Sequence, residues 1–271
     1  MIYYDLVISI VLYKSNIEMV RKTINSFSNL GLKFKLVLSD NSPDDSLKSL
    51  EGISPFIEYQ FNEGNLGFGK AHNKVIRKYI NCSKYHLVLN PDVYFDKDTL
   101  EFLVNYLEIN SDVGQVMPKV LYPNGDIQYL CKLLPTPLDL FLRRFFPSFP
   151  GASHRNDLYE LRKTGYNRRI NVPYLSGCFM LLRNSVLKEV GLFDERIFMY
   201  IEDADLSRRI HKEYRTMYIP DVHITHHYEK GSYKNFKLML YNIHGAYIYF
   251  SKWGWFIDKE RRRINSRVLN E

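Results

Sequence analysis

The first 120 residues alternate two hydrophobic periodicities, and that alternation limits the possible folds more than any other feature of the chain. Apolar runs at 6–12, 34–39, 57–61, 86–89 and 115–117 read as buried strands. Between them, 17–30, 68–79 and 99–107 place apolar residues three or four apart: Ile17, Val20, Ile24 and Phe27; Phe68, Val75, Ile76 and Tyr79; Leu100, Leu103 and Leu107. Strands separated by helices need crossover connections, so the fold class is expected to be α/β, a mostly parallel central sheet covered by helices on both faces. Ligands of such sheets bind beyond the carboxyl ends of the strands, which makes the residues after each strand the ones to inspect.

Beyond residue 120 the pattern changes. YPNG at 122–125 predicts a tight hairpin turn between 120–122 and 126–129. Four prolines within 133–150 and a polar, basic stretch over 150–171 predict a long loop or partly ordered basic insert over 131–170. Regular structure is expected again at 172–182 (strand), 184–190 and 202–211 (helices), 217–220 (strand) and 235–250, a Tyr- and Phe-rich helix followed by WGWF and a basic tail.

The net charge of +7 and pI of about 9.1 are unevenly spread. Residues 230–271 hold nine Lys/Arg against three Asp/Glu, and 131–170 hold eight against three, so an acidic body carries two basic, aromatic-rich attachments. Such a split points to an anionic partner, nucleic acid or anionic lipid. Cys82, Cys131 and Cys178 have no metal-ligand spacing and no framework of pairs, which suits a reducing compartment. The opening MIYYDLVISIVLYKSN lacks a basic n-region and a cleavage site, so it reads as a buried strand and not a signal peptide. No run approaches the ~20 apolar residues of a membrane span.

Four constellations bear chemistry. Asp40 and Asn41 follow the second strand and Asn90 and Asp92 the fourth; strand-end carboxylates can accept from a nucleobase or hold a cation on a diphosphate, or merely form Asx-turns. NEGNLGFGKAHN at 62–73 offers Gly67 and Gly69 for close backbone approach, but matches neither the Walker loop nor the dinucleotide fingerprint. Glu202, Asp203 and Asp205 crowd a helix start, where acids are favoured by the dipole, yet Phe193, Phe198, Met199, Tyr200 and Ile201 surround them with apolar bulk that suits a general base. His223, His226 and His227 stand close together; imidazole with carboxylate oxygens would suit Mg²⁺ or Mn²⁺.

Taken in order, IVLYKSN, LSDNSPDD, NEGNLGFGKAHN, LNPDV, YLSGCFMLLRNSVLKEVGLFDERIFMYIEDADLSRRI and the His-rich segment resemble GT-A glycosyltransferases of family 2, most of all bacterial rhamnosyltransferases that build cell-surface polysaccharides such as O-antigen. The resemblance covers roughly 4–250. It implies a GT-A catalytic domain over 1–230, with a nucleotide-binding part to about 118 and an acceptor part to 230; the aromatic and basic residues of the C-terminal helical extension over 231–271 are expected to pack one apolar face on that domain, or to rest on an anionic membrane with the exposed remainder.

It implies roles residue by residue. Asp40 matches the aspartate that recognises the pyrimidine base, beside Leu12 and Tyr13, with Asn41, Gly67, Gly69, Asn73 and Asn90 completing the donor site. Asp92 falls where the family's second metal-binding aspartate stands, although Asn90 replaces the first. His226 matches the late histidine of the metal shell, with His223 and His227 as neighbours. Ser176, Gly177 and Cys178 underlie sugar and acceptor, and Asp203 is the base with Glu202 as its alternate.

The implied protein is a Mg²⁺- or Mn²⁺-dependent inverting glycosyltransferase at the cytoplasmic side, peripheral at the membrane. It would move L-rhamnose from dTDP-L-rhamnose, or a hexose from a UDP-sugar, to a saccharide or polyprenyl-diphosphate-linked acceptor, with no nucleic acid as partner. Competing classes are a nucleotidyltransferase, disfavoured because YKSN has no glycine after the first strand, a nucleic-acid-binding protein, and a non-catalytic sugar-nucleotide binder.

Overall fold

The computed structural model describes residues 2–145, 151–227 and 236–270, with the side chains of 142–145 and 152 outside that description. Its strands are β1 (Tyr4–Leu12), β2 (Phe34–Asp40), β3 (Ile57–Phe61), β4 (Ser83–Leu89), β5 (Val93–Tyr94), β6 (Val113–Leu121), β7 (Cys131–Lys132), β8 (Ile170–Asn171), β9 (Tyr174–Leu175), β10 (Phe179–Arg183) and β11 (Arg215–His226). The helices are α1 (Ile17–Asn25), α2 (Phe68–Tyr79), α3 (Lys97–Ile109), α4 (Pro137–Phe145), α5 (Ala152–Tyr159), α6 (Asn184–Val190), α7 (Glu202–Glu213), α8 (Phe236–Trp253) and α9 (Lys259–Asn270).

Eight of these strands run in the order β3-β2-β1-β4-β10-β6-β11-β5, with β8 added on β11, while β7 and β9 form a separate ribbon. β1, β2, β3 and β4 pair in parallel, as the strand–helix alternation predicts. β10 enters antiparallel between β4 and β6. That inversion matters for the site, because Phe179, the first residue of β10, pairs with Leu89, the last of β4. The residues before β10 therefore arrive at the carboxyl edge of the parallel strands.

Local sequence explains the elements. Asn16 caps α1 through its side-chain oxygen, which accepts from Glu18 N at 2.9 Å and Met19 N at 3.2 Å, satisfying two N–H groups that a helix start leaves open. β1 is buried on both faces from Leu6 to Ile10, which is why it reads as an apolar run broken only by Ser9. The main core runs through Leu6, Ile8, Ile10, Leu36, Leu38, Leu87, Leu89 and Phe179. On the other face, Val88, Met180 and Leu182 meet Ile76, Leu187, Leu206 and Ile210 of α2, α6 and α7. Within this core a polar cluster is buried: Ser9 Oγ bonds His72 Nδ1 at 2.7 Å and His86 Nε2 at 2.8 Å.

Several boundaries differ from expectation. The first helix stops at Asn25 and continues only as turns. The predicted strand 172–182 is broken at Ser176–Cys178 into β9 and β10, and the predicted strand at 217–220 is the middle of the twelve-residue β11. YPNG does turn, with Gly125 N bonding Tyr122 O at 2.9 Å, but only a single bridge, Leu121 to Ile127, follows. The 131–170 segment is no plain loop: β7, α4, α5 and β8 lie in it, and Asp139 is buried where it accepts from Thr136 N and from Arg155 Nε at 2.6 Å. The side chains of Arg143 and Arg144 of that segment, and Lys230 and Lys234 beyond β11, fall outside the described residues.

The C-terminal extension is bound to α7 by buried charge. Arg208, 1% exposed, donates to Asp258 at 2.7 and 3.0 Å and to Glu260 at 3.0 Å. Asp205 accepts from Lys252 at 2.7 Å and Trp253 Nε1 at 2.8 Å. Among the described residues no helix is long and apolar enough to cross a membrane.

Candidate active site

A cleft of about 1940 Å³ opens at the carboxyl edge of the sheet. Leu12 pairs with Asp40, so β1 and β2 end level, while β4 ends two residues short with Leu89 opposite Ile10; Tyr13, Asn41 and Asn90, just past the three ends, all line the cleft. Asn90 N bonds Cys178 O at 3.0 Å, which brings Ser176, Gly177 and Cys178 to the same floor. Asp92, Glu202, Asp203, His226 and His227 also line it.

Asp203 stands in the first turn of α7, where the helix dipole favours negative charge. Its carboxylate accepts from Gly177 N at 2.9 Å, Ala204 N at 2.9 Å and the Tyr174 hydroxyl at 3.2 Å. A Cβ on residue 177 would sit 3.3 Å from Asp203 Cβ, so glycine there lets the helix start approach the floor. Tyr174 is buried; burial and the adjacent Asp203 charge push its hydroxyl well above its ordinary value, so it remains a donor. Glu202 is 4% exposed, and one of its carboxylate oxygens has no hydrogen-bond partner. Burial, reinforced by the Asp203 charge, pushes Glu202 well above the usual carboxylate range and favours its neutral acid.

Opposite these acids lie Asp92 and His226. His226 Nε2 is 3.4 Å from Asp92 Oδ1 and 3.4 Å from Asn90 Nδ2. Gln128 fixes the imidazole: its amide nitrogen donates to His226 O at 2.7 Å, which leaves Gln128 Oε1, 2.9 Å away, to accept from Nδ1–H. Nε2 therefore faces Asp92, and it offers its lone pair on that side only when a cation displaces the Nε2 proton. Burial works to lower the His226 pKa, but the Cys178 sulfur and the Asp92 carboxylate outweigh it and push it up to about 10, so this spot favours positive charge. Asp92 Oδ1 is buried with no hydrogen-bond donor. A carboxylate, an imidazole and a side-chain amide facing one point suit a hard divalent cation completed by substrate oxygens. Among the described residues no cluster of three or more His, Cys, Asp or Glu forms a self-sufficient metal site.

Other expected site residues sit behind the wall. Asp40 is fully buried and does not line the cleft; its carboxylate accepts from Ser42 N at 2.8 Å and the Tyr59 hydroxyl at 2.7 Å. Leu12 is likewise core. Asn41 carries the polar contact outward, donating to Gly67 O at 3.0 Å and Asn65 Oδ1 at 3.3 Å. Gly67, at φ +82°, lines the cleft, yet its missing Cβ makes room for Phe198 O, which would stand 2.4 Å from it. Gly69 serves Phe193 in the same way at 2.9 Å, and it lies outside the cleft lining. Asn73 is also buried away from the cleft: it donates to Phe193 O at 2.9 Å and accepts from Phe193 N at 3.1 Å. The glycine-rich segment thus seats the loop that leads into the acids. His223 is exposed on β11 and outside the cleft lining, and β-strand alternation puts it on the face opposite His226; His227, just past the strand end, lines the cleft beside His226.

Tyr59, Gln128 and Tyr174 were not singled out from the sequence. Each acts through a residue far away in the chain, 19 positions for Tyr59–Asp40, 98 for Gln128–His226 and 29 for Tyr174–Asp203, so no local pattern announces them.

Comparison with known proteins agrees with this architecture. Residues 7–191 match the family model described as glycosyl transferase family 2. N-acetylglucosaminyl-diphospho-decaprenol L-rhamnosyltransferase of Mycobacterium tuberculosis is 27% identical over 207 residues, covering 71% of this chain and 66% of that protein, so the chain spans just under two thirds of that relative. Rhamnosyltransferase WbbL of Escherichia coli is 24% identical over 258 residues, covering 92% and 94%. Among solved structures, GalNAc-T7 with UDP, GalNAc and Mn²⁺ superposes with a TM-score of 0.62 at 14% identity, over 84% of this chain and 44% of that one. Staphylococcus aureus TarS gives 0.61 at 15% identity, over 98% and 43%. These likenesses establish the GT-A fold, and with the family match over most of its length the chain belongs to glycosyl transferase family 2.

Proposed function

We propose that the chain is an inverting glycosyltransferase that moves a sugar from a nucleoside diphosphate to a hydroxyl of a saccharide or lipid-linked saccharide, with L-rhamnose from dTDP-L-rhamnose as donor. The observation that carries this reading is the meeting of Asn41, Asp92, His226 and Asp203 on one cleft, from residues 185 positions apart at the extremes. The donor preference follows the two rhamnosyltransferase relatives. A UDP-hexose is the second reading, favoured by the 26% identity to the hexosyltransferase Agl10 of Haloferax volcanii. The nucleotide would occupy the part formed by residues 1–118 and the acceptor the part formed by 119–230.

Asp203 is the residue proposed to abstract the acceptor proton. Its three hydrogen bonds hold the carboxylate in place, while Glu202, biased toward the neutral acid, is placed to donate a hydrogen bond to a substrate hydroxyl. Asp92, His226 and Asn90 would hold Mg²⁺ or Mn²⁺, which when bound neutralises charge on the departing diphosphate. Asn41 and Tyr13 would meet the base and ribose, with Asp40 and Tyr59 fixing the wall behind them. The extension would rest the enzyme on the cytoplasmic face of the membrane.

The test is a panel of nucleotide sugars, with and without Mn²⁺ or Mg²⁺, scored by thermal stabilisation and by nucleoside diphosphate release. A true donor at about 100 times its Kd adds about 2.7 kcal/mol. Asp203→Asn is expected to keep that stabilisation and lose about 10²–10⁴ in turnover. Near-normal turnover in this variant would remove Asp203 from the role of base.

A further inference from the structure

The extension has two apolar faces, and only one of them packs on the protein. On the inner side of α8, Gly245 and Tyr249 are buried and Leu238 and Asn242 line the cleft. On the opposite side Phe236, Leu240, Ile243 and Tyr247 recur at intervals of four, three and four residues, and they are 71, 48, 48 and 59% exposed. This spacing forms one stripe about 16 Å long. It continues beyond the helix: the Tyr247 and Trp255 rings lie 6.0 Å apart, and Trp255 and Phe256 join Leu138 of α4 and Leu269 of α9 around a groove of about 620 Å³. Phe256 of that groove and the adjacent Ile257 are 77 and 78% exposed.

Charge identifies the occupant. Residues 236–270 contain seven Lys/Arg and only two acids, Asp258 and Glu260. Both acids are bound to Arg208, and Arg261 is buried, where it donates to the carbonyls of Pro135 and Trp255. The exposed charge around the apolar stripe is therefore positive, carried by Lys259, Arg262 and Arg263 among others. A second copy of the chain would set one basic face against another, whereas a leaflet of acidic phospholipid supplies both the opposite charge and an apolar layer.

We propose that this face docks on an anionic membrane surface, with Phe256 and Ile257 entering the acyl boundary, Trp255 and Tyr247 at headgroup level, and Lys259, Arg262 and Arg263 against lipid phosphates. The proposal deepens the peripheral location given under the proposed function, and rests on that part of it. It also assigns the inner and outer sides of α8 different tasks: the inner side closes the cleft and the outer side meets the lipid.

The test is flotation of the full chain, without donor, on vesicles of equal parts phosphatidylcholine and phosphatidylglycerol, against vesicles of phosphatidylcholine alone. Three interfacial bases predict roughly a hundredfold preference for the acidic vesicles, reduced by salt. The double variant Phe256→Ser, Ile257→Ser is expected to weaken acidic-vesicle binding at least about tenfold with unchanged melting temperature, because both side chains are already exposed. Arg262→Glu with Arg263→Glu should erase the lipid preference. Equal binding to both vesicle types, or undiminished binding of the serine variant, would overturn the proposal; so would a concentration-dependent dimer in sedimentation that the serine variant abolishes, since that makes the face a contact between copies. Because flotation needs no turnover, a chain that floats but transfers no sugar sinks the proposed function and leaves this inference standing.

Discussion

Gly245→Ala probes how the extension controls the acid-bearing turn. Tyr200 and Ile201 both hold φ at +71°, a conformation a β-branched residue such as Ile201 adopts only under constraint, at a cost of about 1–3 kcal/mol. The constraint is α8: a Cβ at 245 would lie 2.7 Å from Tyr200 O, 3.2 Å from Ile197 Cγ2 and 3.3 Å from Ile201 Cγ2. Relieving the carbonyl contact requires the turn to retreat by roughly 0.5 Å. Overpacking costs about 1–3 kcal/mol, while alanine in a helix recovers about 1 kcal/mol over glycine, so the net loss of stability is about 0–2 kcal/mol. The turn leads directly into Glu202 and Asp203, and a misplacement of about 1 Å at a reacting group costs about 10²-fold, so kcat should fall about tenfold or more. Donor-induced thermal stabilisation should persist, because Asn41, Asn90 and Asp92 lie on other elements. Nucleoside diphosphate release under saturating substrates measures kcat, and calorimetry the stability. A variant with kcat within about twofold of the parent would refute the claim that α8 holds in place the turn that carries the proposed base.

Arg208→Met should cost about 3–5 kcal/mol, read by urea unfolding, because it strands Asp258 in a buried position beside Glu260; a loss under about 1 kcal/mol would mean the clamp on α7 is dispensable. Acid sensitivity should come from the buried histidines. Burial lowers His72 well below its ordinary value, with the neighbouring His86 adding to the effect, and burial lowers His86 to about 3. Both folded-state values lie below the unfolded value of about 6.5, so the unfolded chain binds more protons, and stability present above pH 6.5 is lost as pH falls toward the folded values. Each histidine contributes a slope of about 1.4 kcal/mol per pH unit, and His86→Gln should remove one such share between pH 6 and 4.5; an unchanged slope would contradict the burial argument. Tyr59→Phe should loosen the wall behind Asn41 and raise the donor Kd several-fold with kcat little changed, whereas a fall in kcat alone would place Tyr59 in the chemistry.

The parallel strands and their covering helices were legible because apolar runs and 3.6-residue spacing are local properties. β3 and α2 coincide with their predicted spans, and the strand-end positions of Asn41, Asn90 and Asp92 followed from the alternation alone. The 131–170 segment was not legible, since α5 has no amphipathic pattern and is tied down by Arg155 on Asp139, while the short amphipathic α4 lies among prolines that read as loop. Nor could the sequence tell a glycine that admits a ligand from one that admits Phe193 or Phe198, because both need only a missing Cβ.

Residue order by itself determined the sheet-forming half of the chain, the family resemblance and the set of residues available for chemistry. Tertiary structure decided which of them meet. The antiparallel entry of β10 beside β4 brings Gly177 to Asn90 and so Asp203 to the cleft; the long β11 carries His226 to Asp92, and Gln128 fixes its ring. It also buried Asp40, Gly69 and Asn73 behind the wall and turned Arg261 inward, leaving Arg262 and Arg263 exposed. Local sequence encodes periodicity, but which side chains share a cavity depends on strand order and on packing between residues a hundred positions apart, and no window of sequence contains that information.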